Sequence, residues 1–301
     1  MNYKRNSAFS LIELSIVVII IGILIAGVMQ GSKLYFKFKL QTAQALTISS
    51  SVNGIKNLVL WYETTLDASF DANKNFEGNK ILTWRDLNPQ RVYKNDTTNT
   101  SLTCSTCPTF IENGISGLPT MKFEGSRATR LNFSRGVEIG NSDYTIFIVD
   151  QRGKDSFGGT YGAPYFILLD TAGSGANSSI LIRYSSSANT ISWSQGGSTT
   201  NMTYTSNSLS GAEPVAHTFL LSQANGGRKY WANGGRTPAS QDATKNSPVL
   251  EISGGAIGGS NGNYYSGNIS EIIIFNQALT DEERMSVEKY LGQKYSLRLN
   301  Y

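Results

Sequence analysis

Apolar and polar positions divide this chain into three regimes. From Phe9 to Met29 the residues are apolar almost without a break, 21 positions with one carboxylate, Glu13, set among them. At about 1.5 Å of rise per residue the run matches a hydrocarbon layer of about 30 Å and predicts a membrane-spanning helix over 9–29. Beyond Met29 the apolar positions thin to one face: Leu34, Phe38, Ala45, Leu46, Val52 and Ile55 recur at helical spacing among Gln, Thr, Ser and Lys, and extend the helix to residue 56. Gly54 and the β-forming cluster NLVLWYET place a domain boundary at residue 57.

From Asn57 onward the pattern changes to short β runs divided by Gly, Asn, Ser and Asp: LVLWYET, ILTWRDL, LPTMKFEG, YTIFIVDQ, YFILLDT, SILIRYS, TISWSQG, HTFLLSQ, RKYWANG and NISEIIIFN. No helical pattern separates neighbouring runs and no fixed-period repeat is present, which argues against parallel βαβ units and for an antiparallel sandwich or jelly roll. The closing stretch ALTDEERMSVEKYLGQKYS differs. Thr280 with Glu283 three positions on forms a capping box, Asp281 and Glu282 occupy the first turn, and Val287, Tyr290 and Leu291 make an apolar face, so a terminal helix is expected. The fold class is mainly β, with one long N-terminal helix and one short C-terminal helix.

Charge sharpens this division. The chain is formally +4, but residues 1–57 hold six Lys/Arg against Glu13, and everything after is about −1. A nucleic-acid-binding domain carries its basic stripe on the folded part, whereas here the excess flanks an apolar run, so nucleic acid is not an expected partner and a membrane surface is. A secretory signal peptide has an apolar region of only about 7 to 15 residues and a small-residue cleavage site after it, unlike the basic KLYFKFK that follows here. A simple anchor leaves Glu13 unexplained, since a carboxylate in such a segment costs about 2.5 to 3.5 kcal/mol and needs a partner.

SAFSLIEL followed by an unbroken apolar helix resembles the N-terminus of type IV pilins and the pseudopilins of type II secretion. The resemblance implies a basic leader at 1–8, MNYKRNSA, removed by a prepilin peptidase. Cleavage after Ala8 would make Phe9 the methylated first residue and Glu13 the fifth, paired during assembly with the amine of a neighbouring subunit's Phe9. Ala8 stands where that family mostly has Gly, and the helix lacks the proline that kinks many major pilins. The implied partners are other pilin or pseudopilin subunits, the peptidase and inner-membrane lipid, with the body in the periplasm or outside the cell on a filament.

The body resembles laminin-G-like, concanavalin A-like jelly-roll domains over 57–301, most closely at GNISEIIIFNQALTDEERMSVEKYLGQKY. That implies a module for a glycan or a surface protein, with function as a minor pilin or pseudopilin displaying a lectin-like adhesive domain. The alternatives are an anchored periplasmic lectin-like protein that does not polymerise and a tethered glycoside hydrolase.

Catalytic chemistry finds little material. The E-x-D-x-x-E strand of glucanase relatives is missing, His217 is the only histidine and is expected as a locally bonded strand-end residue, and no G-x-S-x-G elbow occurs. The expectation is no enzyme, no cofactor and no metal. GSGANSS and GGAIGGSNG are read as turns. DANKNFEG alternates Asp71, Asn73, Asn75 and Glu77, but its Gly falls two positions late and the twelfth ligand is missing for a calcium loop. With the pilin-type anchor placing them outside the cytoplasm, Cys104 and Cys107 are expected as a disulfide closing a small loop. Trp61, Trp84, Trp193 and Trp231 lie in strand patterns and are assigned to the core. Tyr264 and Tyr265, with Asn261 and Asn263, sit in GGSNGNYYSGN and are the candidate ligand contacts, because neighbouring extended residues point to opposite sides.

Overall fold

The computed structural model of the protein describes residues 11–72, 74–99, 104–135, 137, 139, 142–153, 180–185, 189–195, 201–211, 213–245, 255–260 and 263–301. Two compact units form, Met1–Thr42 and Ala43–Tyr301. Helix α1, Leu11–Ile48, is long and apolar enough to cross a membrane, and its side chains from Leu11 to Met29 are exposed.

The helix ends at Ile48, earlier than the expected residue 56. Its last turns are rich in hydroxyls that bend back on the backbone: Thr47 Oγ1 donates to Ala43 O at 2.9 Å and Ser49 Oγ to Ala45 O at 2.8 Å. Asn53 Nδ2 then donates to Ile48 O at 3.0 Å, a 3₁₀ turn covers Ser51–Asn53, and Asn57 at φ 59° turns the chain into strand Leu58–Glu63.

An eight-stranded antiparallel sheet organises the second unit. Its order runs Ser240–Asp242, Gly227–Ala232, Val215–Ser222, Tyr144–Arg152, Gly267–Phe275, Thr120–Phe123, Thr109–Ile111. Strand Leu58–Glu63 is the eighth and shares one edge of Gly267–Phe275: residues 267–269 pair with Thr120–Phe123 and residues 271–275 with Leu58–Glu63. Facing this sheet are the shorter ladders Ala256–Ile257, Leu131–Phe133, Thr97–Thr98, Thr83–Trp84 and Met202–Thr205, Thr190–Gln195, Ile180–Tyr184. The result is a β-sandwich. Every long run read from the sequence lies on a strand except YFILLDT, which falls outside the described residues, as does GSGANSS. GGAIGGSNG, read as a turn, carries the two-residue strands Ala256–Ile257 and Gly259–Ser260.

Both faces of the main sheet are covered. Ile146, Ile148, Phe219, Ile272 and Ile274 join the core between the layers with Trp84, Ile182 and Trp193, whereas Phe147, Val149, Ile273 and Phe275 pack with Val287, Leu291 and Tyr295 of helix α2, Asp281–Tyr295, and with Ala43 from the last turns of α1. Such two-sided burial explains why IFIV and IIIF read as continuous apolar runs. Helix α2 begins on the expected capping box: Thr280 Oγ1 accepts from Glu283 N at 3.2 Å, and Glu283 Oε2 accepts from Thr280 N at 3.0 Å. All four tryptophans are core residues, 0 to 3% exposed.

The α2 face of the sheet also carries buried charge. A bulge between Ile269 and Glu271 resets the alternation, so Ile269 enters the interlayer core while Glu271 shares a face with Ile273 and Phe275. Glu63 lies directly opposite Glu271 in the register, and Lys294 Nζ stands 2.9 Å from a carboxylate oxygen of each. Glu271 also accepts from Trp61 Nε1 (2.8 Å), Tyr290 OH (2.7 Å) and Tyr295 OH (2.9 Å), and Glu63 from Thr65 N (2.7 Å), Leu66 N (2.6 Å) and Ser69 Oγ (2.8 Å). Burial alone would push the Glu63 carboxyl up, but the Lys294 ammonium and the Thr65 bonds hold it below the ordinary 4.5. Burial likewise depresses the Lys294 ammonium, and the Glu271 and Glu63 carboxylates raise it above 10.5.

The linkage signs follow from these directions. The lowered Glu63 pKa contributes stability that is present above 4.5 and lost as pH falls through the folded value, and the raised Lys294 pKa contributes stability that is present below 10.5 and lost as pH rises through its folded value. Lys294→Met leaves two buried carboxylates without their cation and should destabilise the protein by about 3 to 5 kcal/mol. Urea unfolding of the full chain in detergent measures this. In that variant the Lys294 charge no longer offsets burial at Glu63, so acid below 4.5 should cost the variant less stability than it costs the parent; a parallel pH dependence in the two proteins would contradict the network.

Candidate functional site

The N-terminal determinants sit on or just before α1. Ala8 and Phe9 lie outside the described residues, and Glu13 occupies the first turn of the helix, exposed among Leu11, Ile12 and Leu14. In the second unit, Cys104 and Cys107 are joined as a disulfide, with Cys107 buried and Cys104 at φ 53°. The alternating residues of DANKNFEG do not converge. Asp71 pairs with Arg85 at 2.6 Å, Asn75 Nδ2 donates to Asp67 Oδ1 at 2.8 Å, and Glu77 Oε2 accepts from Glu112 N at 2.6 Å; Asn73 lies outside the described residues. Among the described residues no group of three or more His, Cys, Asp and Glu is placed to hold a metal ion.

The proposed ligand loop needs a correction at Tyr265. Asn263–Tyr264 pairs with Gly259–Ser260 and Tyr264 is half-buried, but Tyr265 is only 2% exposed and turns inward, where its hydroxyl donates to Asp150 Oδ2 at 2.7 Å. Alternation sends one of two neighbours inward, and a buried acceptor from a distant strand fixes which one. Asn261 lies outside the described residues.

Asp150 is the centre of a second buried network, between the layers. His217 is not at a strand end and its bonds are not local: it lies within Val215–Ser222 on the same face as Val215, Phe219 and Leu221. Its Nε2 is 2.7 Å from Asp150 Oδ1 and its Nδ1 is 2.8 Å from Tyr230 OH. Tyr184 OH, from the facing layer, reaches Asp150 Oδ1 at 3.1 Å. Burial first, then the Asp150 carboxylate, push the hydroxyls of Tyr184, Tyr230 and Tyr265 well above 10.0, so all three remain protonated donors. The arrangement ties the two layers together with polar groups whose partners are all internal.

An exposed aromatic that sequence reasoning missed is Tyr93. Val92 and Tyr93 are 89% and 74% exposed, and the Arg135 guanidinium lies 5.2 Å from the Tyr93 ring centroid. The loop is braced behind them: Tyr62 OH donates to Asn95 O, and Asn95 Oδ1 accepts from Arg135 N at 3.0 Å. The criterion applied to Tyr264 and Tyr265, an aromatic in a polar turn, would have found Tyr93 in RVYKND.

Residues 3–29 match the model of the prokaryotic N-terminal methylation motif. The chain carries a pilin-type N-terminal signal. A search of curated proteins finds no match. Among solved structures, the binding domain of Paraclostridial mosquitocidal protein 1 is similar at 14% identity and TM-score 0.52, over 77% of this chain and 52% of that one. A Trypanosoma rangeli sialidase (14% identity, TM-score 0.46, 79% of this chain and 33% of that one) and the binding domain of botulinum neurotoxin serotype D/C (12%, TM-score 0.47, 80% and 53%) are more distant. This chain therefore spans about a third to a half of those structures. The likeness to the mosquitocidal protein is one of fold, and the chain joins a pilin-type N-terminus to a β-sandwich.

Tyr265→Phe removes the donor to a buried carboxylate and should lower stability by about 1 to 3 kcal/mol. Thermal unfolding reads the loss, and an unchanged melting temperature would mean that the hydroxyl does not anchor the loop.

Proposed function

We propose that this protein is a minor pilin or pseudopilin subunit, held in the inner membrane by α1 before assembly, whose β-sandwich is presented outward to bind a glycan or a surface protein. The observation that carries this reading is the position of Glu13. It falls at the fifth position after the expected cleavage point inside a matched methylation motif, where a costly carboxylate in an apolar helix finds a reason. That the similar part of the mosquitocidal protein is its binding domain supports a binding role for the sandwich. A non-enzymatic reading is supported by His217, whose two ring nitrogens face buried partners. The exposed Tyr93 with Arg135 offers the type of surface that a sugar ring or a partner's side chain packs on, an aromatic face beside a cation.

N-terminal sequencing of the membrane form should find methylated Phe9. Glu13→Ala should leave the protein stable in the membrane and reduce its incorporation into filaments, because an unpaired buried amine costs about 3 to 5 kcal/mol. Met1 retained at the N-terminus, or normal incorporation of the variant, would favour an anchored protein that does not polymerise.

A further inference from the structure

Immediately past the apolar span, α1 carries Lys33, Leu34, Tyr35, Phe36, Lys37, Phe38 and Lys39 on a continuous helix. Leu34, Tyr35, Phe36 and Phe38 are 54%, 62%, 40% and 59% exposed. Apolar surface of this extent is costly in water, and Lys33 with Lys37, one turn apart, repel each other on a bare helix. Both features fit the boundary between lipid and water, where aromatic rings sit at headgroup level and lysines extend their stems along the hydrocarbon edge.

Spacing along the helix supports the same location. Glu13 and Lys33 are twenty positions apart, about 30 Å along the axis, which is the thickness of the hydrocarbon layer. With Glu13 at one boundary, Lys33–Lys39 occupies about 9 Å of the opposite headgroup zone. At about 100° per residue, Lys33 and Lys37 lie on one side, Lys39 well round from them, and Tyr35, Phe36 and Phe38 fill the intervals. Cations and rings thus surround the helix. A protein partner would meet one face, whereas a headgroup layer meets all of them. Glu13 is the only acidic residue in 1–57, so the lysines have no nearby acid on their own helix.

We propose that Lys33, Lys37 and Lys39, with Tyr35, Phe36 and Phe38, form a collar that binds the headgroups of anionic phospholipids at the outer boundary of the span. This rests on the reading of α1 as membrane-spanning. The lysine ammoniums supply the charge complement, and the rings fix the depth at which they lie.

The test uses the full chain in vesicles of equal phosphatidylglycerol and phosphatidylcholine, extracted in mild detergent, with the retained lipid measured by mass spectrometry. The ratio of phosphatidylglycerol to phosphatidylcholine retained should be at least about threefold that of the bulk mixture, and it should fall as salt rises from about 0.05 to about 0.5 M. The triple change Lys33→Gln, Lys37→Gln, Lys39→Gln should return the ratio to that of the bulk, and the corresponding triple Lys→Arg variant should keep the enrichment. Bulk composition on the parent protein, or equal enrichment on the Gln variant, would overturn the collar. Alkaline extraction of the same vesicles separates the two levels: protein released into solution overturns the spanning reading itself, and protein retained without lipid preference overturns only the collar.

Discussion

One ammonium group holds the second unit together. Lys294 lies between Glu63 and Glu271 in a region with no solvent access, and these three side chains come from α2, the first strand and the last strand. Two carboxylates directly opposite each other in a sheet register would repel strongly at this depth, so the pairing of Leu58–Glu63 with Gly267–Phe275 requires the cation that α2 delivers. The last strand in turn orders the sheet, since it pairs with three others. The first and last described elements of the sandwich are therefore closed on one another by charge as well as by backbone bonds.

The same centre fixes the end of α1. Tyr290 OH, which donates to Glu271, lies 3.2 Å from Thr47 Oγ1, and Gln44 Nε2 donates to Thr65 O at 2.9 Å beside the Glu63 cluster. Ala43 and Thr47 are buried here. The last turns of the helix are thus part of the sandwich's own packing. This is why the compact unit begins at Ala43 and not at residue 57, where the change from helical to strand pattern suggested a boundary. Periodicity reports which face is apolar. It does not report which body that face packs on.

Other features were legible because their causes are local. The Thr280 capping box needs residues only three positions apart, and the tryptophans announce burial by size and strand context. Tyr265 and His217 were misplaced for the opposite reason: each is positioned by Asp150, at sequence separations of 115 and 67, and a long-range acceptor leaves no mark on the neighbouring residues. The stretches that most resembled laminin-G-like domains, GNISEII and EKYLGQKY, contain Glu271, Tyr290, Lys294 and Tyr295. These residues build the charged centre, so that part of the resemblance reports on how the sandwich closes and carries no information about what it binds.

The two units therefore place charge according to different rules. In the sandwich the buried Glu63 and Glu271 carboxylates take donors from the first strand, the turn after it and α2, all within the chain. Along α1 the opposite holds. The lysines at 33, 37 and 39 stand on a helix whose single acid, Glu13, lies twenty or more positions away. A helix with an acid near one end of its apolar run and bases beyond the other has its axial position set by those surroundings, because sliding by even one turn carries a charge into hydrocarbon at a cost of about 2.5 to 3.5 kcal/mol. Axial position is what the apolar residues between cannot specify, since each Ile, Val or Leu is at home at any depth. In a bilayer the charges on α1 would fix its register, as those around Lys294 fix the register of the sheet.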